Sequence, residues 1–249
     1  FCLIDLYDLL EVKKISGRKD LVKFDGKFAK YVNRKSNSII KALNVLREKN
    51  FISDYYSVLV HKRTPVFSGM GGGTSNAACI IKYLTNNKIN KDLFNILDQK
   101  IGSDLRLFFY KQGFLKNLKT VNRLKKKLNL FFLLVYPNIK CSTTHIYSKV
   151  KRYSKKSKSS YVKIKDKKKF IQLISNEGND LQSIVERKYP IIKKLIGEIG
   201  QKKGCYFSRM TGSGSVCYGV FKSHKSAKAA LNRVKLKHPK YWLSVAKTI

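Results

Sequence analysis

Acidic residues are scarce in this chain: 15 Asp and Glu stand against 53 Lys and Arg in 249 residues, a formal net charge of +38. That balance has the electrostatic profile of a nucleic-acid binder. Arginine is scarce as well, however, and it is Arg whose planar fork reads phosphates and base edges bidentately. The excess is mostly Lys, dispersed, with its densest runs at Lys125–Lys127, Lys155–Lys158 and Lys163–Lys169. Asn and Ile accompany it, the composition an A- and T-biased genome encodes whatever the function. A positive field would also draw in doubly anionic nucleotides. Long apolar runs are missing too. None approaches the ~18 residues that cross a bilayer, so no membrane partner is expected. There is no basic-then-apolar leader, which points to the cytoplasm. The cysteines are few and scattered (Cys2, Cys79, Cys141, Cys205, Cys217) and lack Cys-x-x-Cys spacing. This excludes a zinc site or disulfide framework and suits a reducing compartment. His61, His145, His224 and His238 lie far apart and suggest no metal cluster or triad. No internal repeat is present.

What is there is a chain long enough for one or two domains, with an ordinary 43% hydrophobic content. It opens on the apolar, strand-like Phe1–Tyr7 without an initiating Met, and reads as the middle of a protein. Ile39, Ile40, Leu43 and Leu46 recur at helical spacing and predict a helix over 36–48. A β-branched strand at 56–61 follows, then a glycine-rich stretch and a helix over 75–85. Leu93–Leu97 gives a short helical stretch, 123–129 a basic linker, and Leu130–Val135 a fully buried strand. Helical patterns follow at 166–174, 179–187 and 189–199. Strands at 205–210 and 215–221 flank a second glycine-rich turn, before a helix at 223–235 and a strand at 242–246. The Lys/Ser tract 151–168 reads as an exposed loop. Strands and helices mix without strict alternation, which is α+β rather than a doubly wound sheet.

The most informative stretch is Pro65–Ala78, Pro-Val-Phe-Ser-Gly-Met-Gly-Gly-Gly-Thr-Ser-Asn-Ala-Ala. Gly69, Gly71, Gly72 and Gly73 would be costly inside a strand or helix. Placed before a helix, they let the backbone approach an anion, with free N–H groups and the positive helix end facing it. Thr74 and Ser75 are expected to cap that helix and to offer hydroxyls to a phosphate or its metal ion. No Lys follows the glycines as in a Walker A loop, and the spacing differs from a dinucleotide fingerprint. The bland alternative is a flexible strand–helix junction.

The segment Lys62–Ala78 resembles the ATP-phosphate loop of the GHMP kinases, the superfamily of galactose, homoserine, mevalonate and phosphomevalonate kinases. Other stretches resemble the same family in the same order: Lys35–Leu43, Ile101-Gly102-Ser103-Asp104, Tyr136–Asn138 with Ser142–Tyr147, Asn179-Asp180-Leu181 with Tyr189-Pro190, and Met210–Ser215. Together they span residues 35–221. The triple glycine followed by Thr-Ser-Asn-Ala-Ala is most similar to the branch whose acceptor is the 2-hydroxyl of a cytidine-diphospho-methylerythritol, on the non-mevalonate route to isoprenoid precursors in bacteria.

The resemblance implies a two-domain GHMP kinase fold. Residues 1–129 would form an N-terminal S5-like domain with the phosphate loop and without its first strands; residues 130–249 would form a C-terminal ferredoxin-like domain. It implies ATP and Mg2+ as cofactors, a small-molecule substrate, no specific nucleic acid, and a monomer or homodimer. Pro65, Ser68, Gly69, Met70, Gly71, Gly72, Gly73, Thr74, Ser75 and Asn76 would hold the nucleotide, with Ser75 also at the metal. Asp104 would be the catalytic base and touch substrate; a helix cap is its plain alternative. The family pairs that Asp with an early-strand Lys, expected here before residue 1, and usually has Pro where this chain has Arg106. Lys62 is a different position. Tyr147 would stack on cytosine or else be a core tyrosine. Gly212, Ser213 and Gly214 would support substrate, although Gly-Ser-Gly is also an ordinary hairpin turn. Asn179 and Asp180 would contact the seam or cap a helix. The rival readings are another GHMP small-alcohol kinase and a basic nucleic-acid-binding protein.

Overall fold

The computed structural model describes residues 1–154, 164 and 166–249, so the lysine run 155–158 and much of the 151–168 tract lie outside the described residues. The chain divides into two compact units. The first comprises Phe1–Cys2, Leu6–Val66 and Gly71–Asn122; the second comprises Leu3–Asp5, Phe67–Met70 and Arg123–Ile249.

In the first unit, β1 (Leu9–Ile15), β2 (Leu21–Asp25) and β3 (Tyr55–His61) form a sheet in the order β1-β3-β2. The central β3 runs antiparallel to β1 and parallel to β2. Val58 and Val60 alternate inward from β3 and are fully buried. They pack with α1 (Ser38–Glu48), α2 (Gly72–Leu84) and α3 (Lys91–Ile101) through Leu43, Leu46, Ile80, Ile81 and Leu97. Asn37 starts α1 by accepting from the Ile39 and Ile40 N–H groups, and Asn90 starts α3 by accepting from Leu93. A 3-10 segment, Ser103–Phe109, and the small sheet of β4 (Gly113–Lys116) and β5 (Thr120–Arg123) complete the unit.

At the end of β3, His61 contacts Glu11 of β1 at 2.6 Å and Asp25 of β2 at 2.8 Å. The hydrogen bond that the imidazole donates to Glu11 leads in raising it above its ordinary 6.5. A group raised on folding stabilises fully below its unfolded pKa, and that contribution is lost as pH rises through the folded value. Urea midpoints should therefore fall between about pH 6 and about pH 8. His61→Ala should lack that part of the slope.

In the second unit, β6 (Phe131–Tyr136), β7 (Cys205–Met210), β8 (Cys217–Phe221) and β9 (Trp242–Lys247) form an antiparallel sheet in the order β7-β8-β6-β9. Between β6 and β7 the chain forms α4 (Thr143–Ser148), α5 (Lys167–Ser175), α6 (Gln182–Lys188) and α7 (Pro190–Gly200); α8 (His224–Lys237) joins β8 to β9. Strand–helix–strand–strand–helix–strand with this neighbour order is the ferredoxin-like arrangement. The continuous apolar run Phe131–Val135 occupies an inner position, paired on both sides. Leu133 and Val135 meet Ile192, Leu195 and Ile199 of α7 and Ala227, Ala230 and Val234 of α8 in one core. A capping box of Ser223 and Ser226 begins α8, and Pro190 stands in the first turn of α7. The fold is thus α+β, as the mixed pattern predicts.

Candidate functional site

The glycine stretch divides by residue. Phe67–Met70 cluster with the second unit; Pro65, Val66 and everything from Gly71 to Asn122 belong to the first. Within the first unit, Gly71 adopts a left-handed backbone (φ 69°) as the residue before α2, and no side chain caps the helix. Gly72 and Gly73 are therefore already helical. Thr74 and Ser75 sit inside the first turn, with the Ser75 N–H bonded to the Gly71 carbonyl. The expectation that they cap the helix is corrected: the left-handed glycine turns the chain three residues earlier. That first turn contains no acidic side chain. The site demands glycine sterically as well. A Cβ on Gly71 would come within 2.9 Å of the Phe108 ring, and one on Gly72 within 2.9 Å of Thr64 Oγ1. Gly73 is exposed, and Asn76 turns into the protein, 5% exposed, with Nδ2 donating to Asp8. Pro65 is buried.

The Phe108 beside Gly71 belongs to the 3-10 segment that carries Asp104. Gly102 (φ 129°) precedes this segment, and the Lys82 ammonium donates to the Phe108 carbonyl. Asp104 caps no helix with its side chain. It is open to solvent on one side, while protein bulk on the other desolvates the carboxyl and raises it above the ordinary carboxylate value. No ion-pair partner faces it among the described residues. Arg106, two residues on, points elsewhere. Nε donates to Asp98 at 3.0 Å, Nη1 to the Lys119 carbonyl at 2.9 Å and Nη2 to Asn95 at 3.2 Å. Its guanidinium lies 5.0 Å from the Phe94 ring centroid. It ties the Asp104 segment to α3 and to the turn after β4.

Sequence reasoning missed Asp8. Its side chain is 1% exposed and pairs with Lys62, itself 3% exposed. Oδ1 accepts from the backbone N–H groups of Arg63 and Thr64 and from Thr64 Oγ1, each at 2.9 Å. Burial pushes this carboxyl upward, but the Lys62 charge and the donated hydrogen bonds outweigh it and hold the group below its ordinary value. No local pattern marks Asp8, because its partners lie 54–68 residues away in sequence.

In the second unit, residues 67–70 meet the other glycine turn. The Ser68 carbonyl accepts from the Val216 N–H, and the Gly69 carbonyl accepts from Thr211 Oγ1 at 3.1 Å. Gly212 (φ 50°) and Gly214 (φ 85°) shape the turn, and Ser213 is buried with Oγ 2.9 Å from Thr143 Oγ1. Met70 is half-buried. Asn179 Nδ2 donates to the carbonyls of Met210 (3.0 Å) and Gly212 (2.9 Å), while its Oδ1 accepts from Leu181 N. This is a turn support, where the sequence left seam contact or a cap open. Asn179→Ala should cost about 2 kcal/mol, read as a melting point lower by roughly 5 °C. Asp180 accepts from Ser154. Tyr147, on α4, is 51% exposed, so it is not a core tyrosine. With Asn179, Arg209, Thr211 and Tyr218 it lines a concavity of about 410 Å³.

Among the described residues no group of three or more His, Cys, Asp or Glu side chains is placed to hold a metal, and no helix is long and apolar enough to cross a membrane. All five cysteines are free.

The family model for the C-terminal part of GHMP kinases matches residues 160–240. The chain is 31% identical to the 4-diphosphocytidyl-2-C-methyl-D-erythritol kinase of Pelagibacter ubique (strain HTCC1062), over 99% of this chain and 88% of that one. It is also 31% identical to the enzyme of that name from Ehrlichia canis (strain Jake), over 100% of this chain and 89% of the other. Among solved structures, a 4-(cytidine 5'-diphospho)-2C-methyl-D-erythritol kinase superposes with a TM-score of 0.70 at 19% identity, covering 98% of this chain and 87% of that one. The homoserine kinase of Cytophaga hutchinsonii gives 0.68 at 15% identity, covering 99% and 87%. At those identities the structural likeness shows the fold.

Proposed function

The chain belongs to the 4-diphosphocytidyl-2-C-methyl-D-erythritol kinase family of the GHMP kinases, and on that premise we propose that it transfers the γ-phosphoryl group of ATP to the 2-hydroxyl of 4-diphosphocytidyl-2-C-methyl-D-erythritol. This step serves the non-mevalonate route to isoprenoid precursors. The observation that carries the reading is 31% identity over 99% of this chain. A nucleic-acid-binding role has no comparable support.

The residues fit a nucleotide. The first turn of α2 offers N–H groups that no side chain caps and holds no acid to repel phosphate. Gly71, Gly72 and Gly73, with the Thr74 and Ser75 hydroxyls, would hold the phosphates. With no carboxylate cluster among the described residues, magnesium would be held through the phosphates and Ser75 rather than by a protein cage. Bound ATP with magnesium supplies the transferable phosphoryl group and neutralises its charge. Asp104 supplies the base: its raised carboxyl is closer to the acceptor's needs than an ordinary carboxylate, and it takes the hydroxyl proton. Tyr147 presents an exposed ring for the cytosine, and Gly212 to Gly214 present backbone to the acceptor. The test is phosphorus NMR of the protein with MgATP and the cytidine-diphospho alcohol. A new phosphomonoester on the alcohol supports the reading. ATP left unhydrolysed and the alcohol unmodified by a folded protein count against it.

A further inference from the structure

The Asp8 network has a place in the proposed site that neither Asp104 nor the glycines fill. Asp8 directly precedes β1, whose Leu9 pairs with His61 at the end of β3, so its carboxylate lies beside Lys62 where β3 leaves the sheet. One oxygen holds Arg63 and Thr64, and the other holds Lys62 and Asn76. Asn76 is on α2, so a single buried carboxylate joins the exit of β3 to the first turns of the helix that would carry the phosphates. The network stands directly behind that turn. A Cβ on Gly72 would be 2.9 Å from Thr64 Oγ1 and 3.6 Å from Lys62 Nζ. The Lys62 ammonium donates to Asp8 and to Thr64 Oγ1, the latter at 3.1 Å. A buried ammonium is tolerated only while paired and hydrogen-bonded.

We propose that Asp8 is a positioning residue for nucleotide binding, which fixes the start of α2 through Thr64 and Asn76 and neutralises Lys62 behind the glycine turn. The inference rests on the ATP-binding reading above. Asp8 touches neither ATP nor the acceptor; its effect travels through the glycine turn. Its loss therefore acts on ATP affinity more than on the chemical step.

Asp8→Asn keeps the shape but replaces one acceptor oxygen with a donor, leaving Lys62 uncompensated and opposing the Asn76 amide. The expected result is a KM for ATP raised about 10-fold or more, with kcat at saturating ATP within about 3-fold of the parent and the acceptor KM unchanged. A purely structural role predicts the reverse: kcat lowered with the folded fraction and KM for ATP unmoved. Should Asp8→Asn not fold, Thr64→Val decides, since it removes only the hydroxyl that links Asp8 to Lys62. It should raise the KM for ATP by about 3-fold. Binding of a fluorescent ATP analogue to the parent separates ATP recognition itself from the positioning role of Asp8. A parent that binds none overturns the ATP reading and this inference with it. A parent that binds, with a variant KM for ATP that does not move, overturns the inference alone.

Discussion

Asp104→Asn should give a folded protein whose kcat falls on the order of 1,000-fold, within the range that loss of a positioned base produces. The substitution is nearly isosteric, and Asp104 holds no hydrogen bond or ion pair among the described residues whose loss would disturb the fold. Stability should move the other way. Desolvation raises this carboxyl in the folded state, so the folded protein binds a proton more readily than the unfolded one. Ionising the group as pH rises through that range costs stability. The uncharged amide escapes this cost, and the variant should be at least as stable as the parent at neutral pH. The kcat profile of the parent should show an acidic limb above the ordinary aspartate value of 3.8, where protonation removes the base; in the variant that limb disappears. A variant that melts early and loses activity in proportion would assign Asp104 a structural role.

Gly69→Ala should be the most disruptive single methyl in the second unit. The backbone there is left-handed (φ +71°), and the new Cβ would lie 2.1 Å from the Thr211 carbonyl oxygen and 2.8 Å from the Gly214 nitrogen. Both are backbone atoms of a turn that Asn179 and the Thr211 hydroxyl hold in place, so neither can swing aside. Left-handed strain and overlap together should cost about 3 kcal/mol or more, a fall in melting temperature of roughly 10 °C. Gly73→Ala is the control. Gly73 is exposed within α2, its nearest prospective neighbour is Ser38 Oγ at 3.7 Å, and alanine is the better helix former. Calorimetry should find Gly73→Ala no less stable than the parent and Gly69→Ala far less; equal melting points would contradict the packing described.

The contrast between those glycines shows what the sequence could and could not reveal. Glycine clustering before a helical run marks the turn, but which glycine touches backbone depends on Thr211, distant in sequence. The helices α1, α7 and α8 and the strand β6 are legible because their apolar spacing matches their burial. The strands β1 and β2 are not. In β1, Lys13 and Lys14 interrupt the alternation, and Leu9 faces solvent at 44% exposure. β2 has only five residues. The pair β4 and β5 falls at 113–123, for which the sequence predicts no element, because strands of four residues are too short to carry a period-two signal. Asp104 is singled out by the family resemblance of its Gly-Ser-Asp segment, since the pattern alone favours a helix cap; that no ion-pair partner faces it among the described residues is not legible. Asp8 was illegible because a buried carboxylate is recognised by its donors, and these converge only in the fold.

The most direct measurement compares kcat/KM for magnesium-dependent ADP release with 4-diphosphocytidyl-2-C-methyl-D-erythritol, mevalonate, homoserine and galactose. The account predicts a preference of about 1,000-fold or more for the cytidine-linked alcohol, because a site built around a nucleotide loses many paired groups when a simple alcohol replaces it. Turnover that favours one of the simple alcohols, or ADP release indifferent to which acceptor is present, would contradict it.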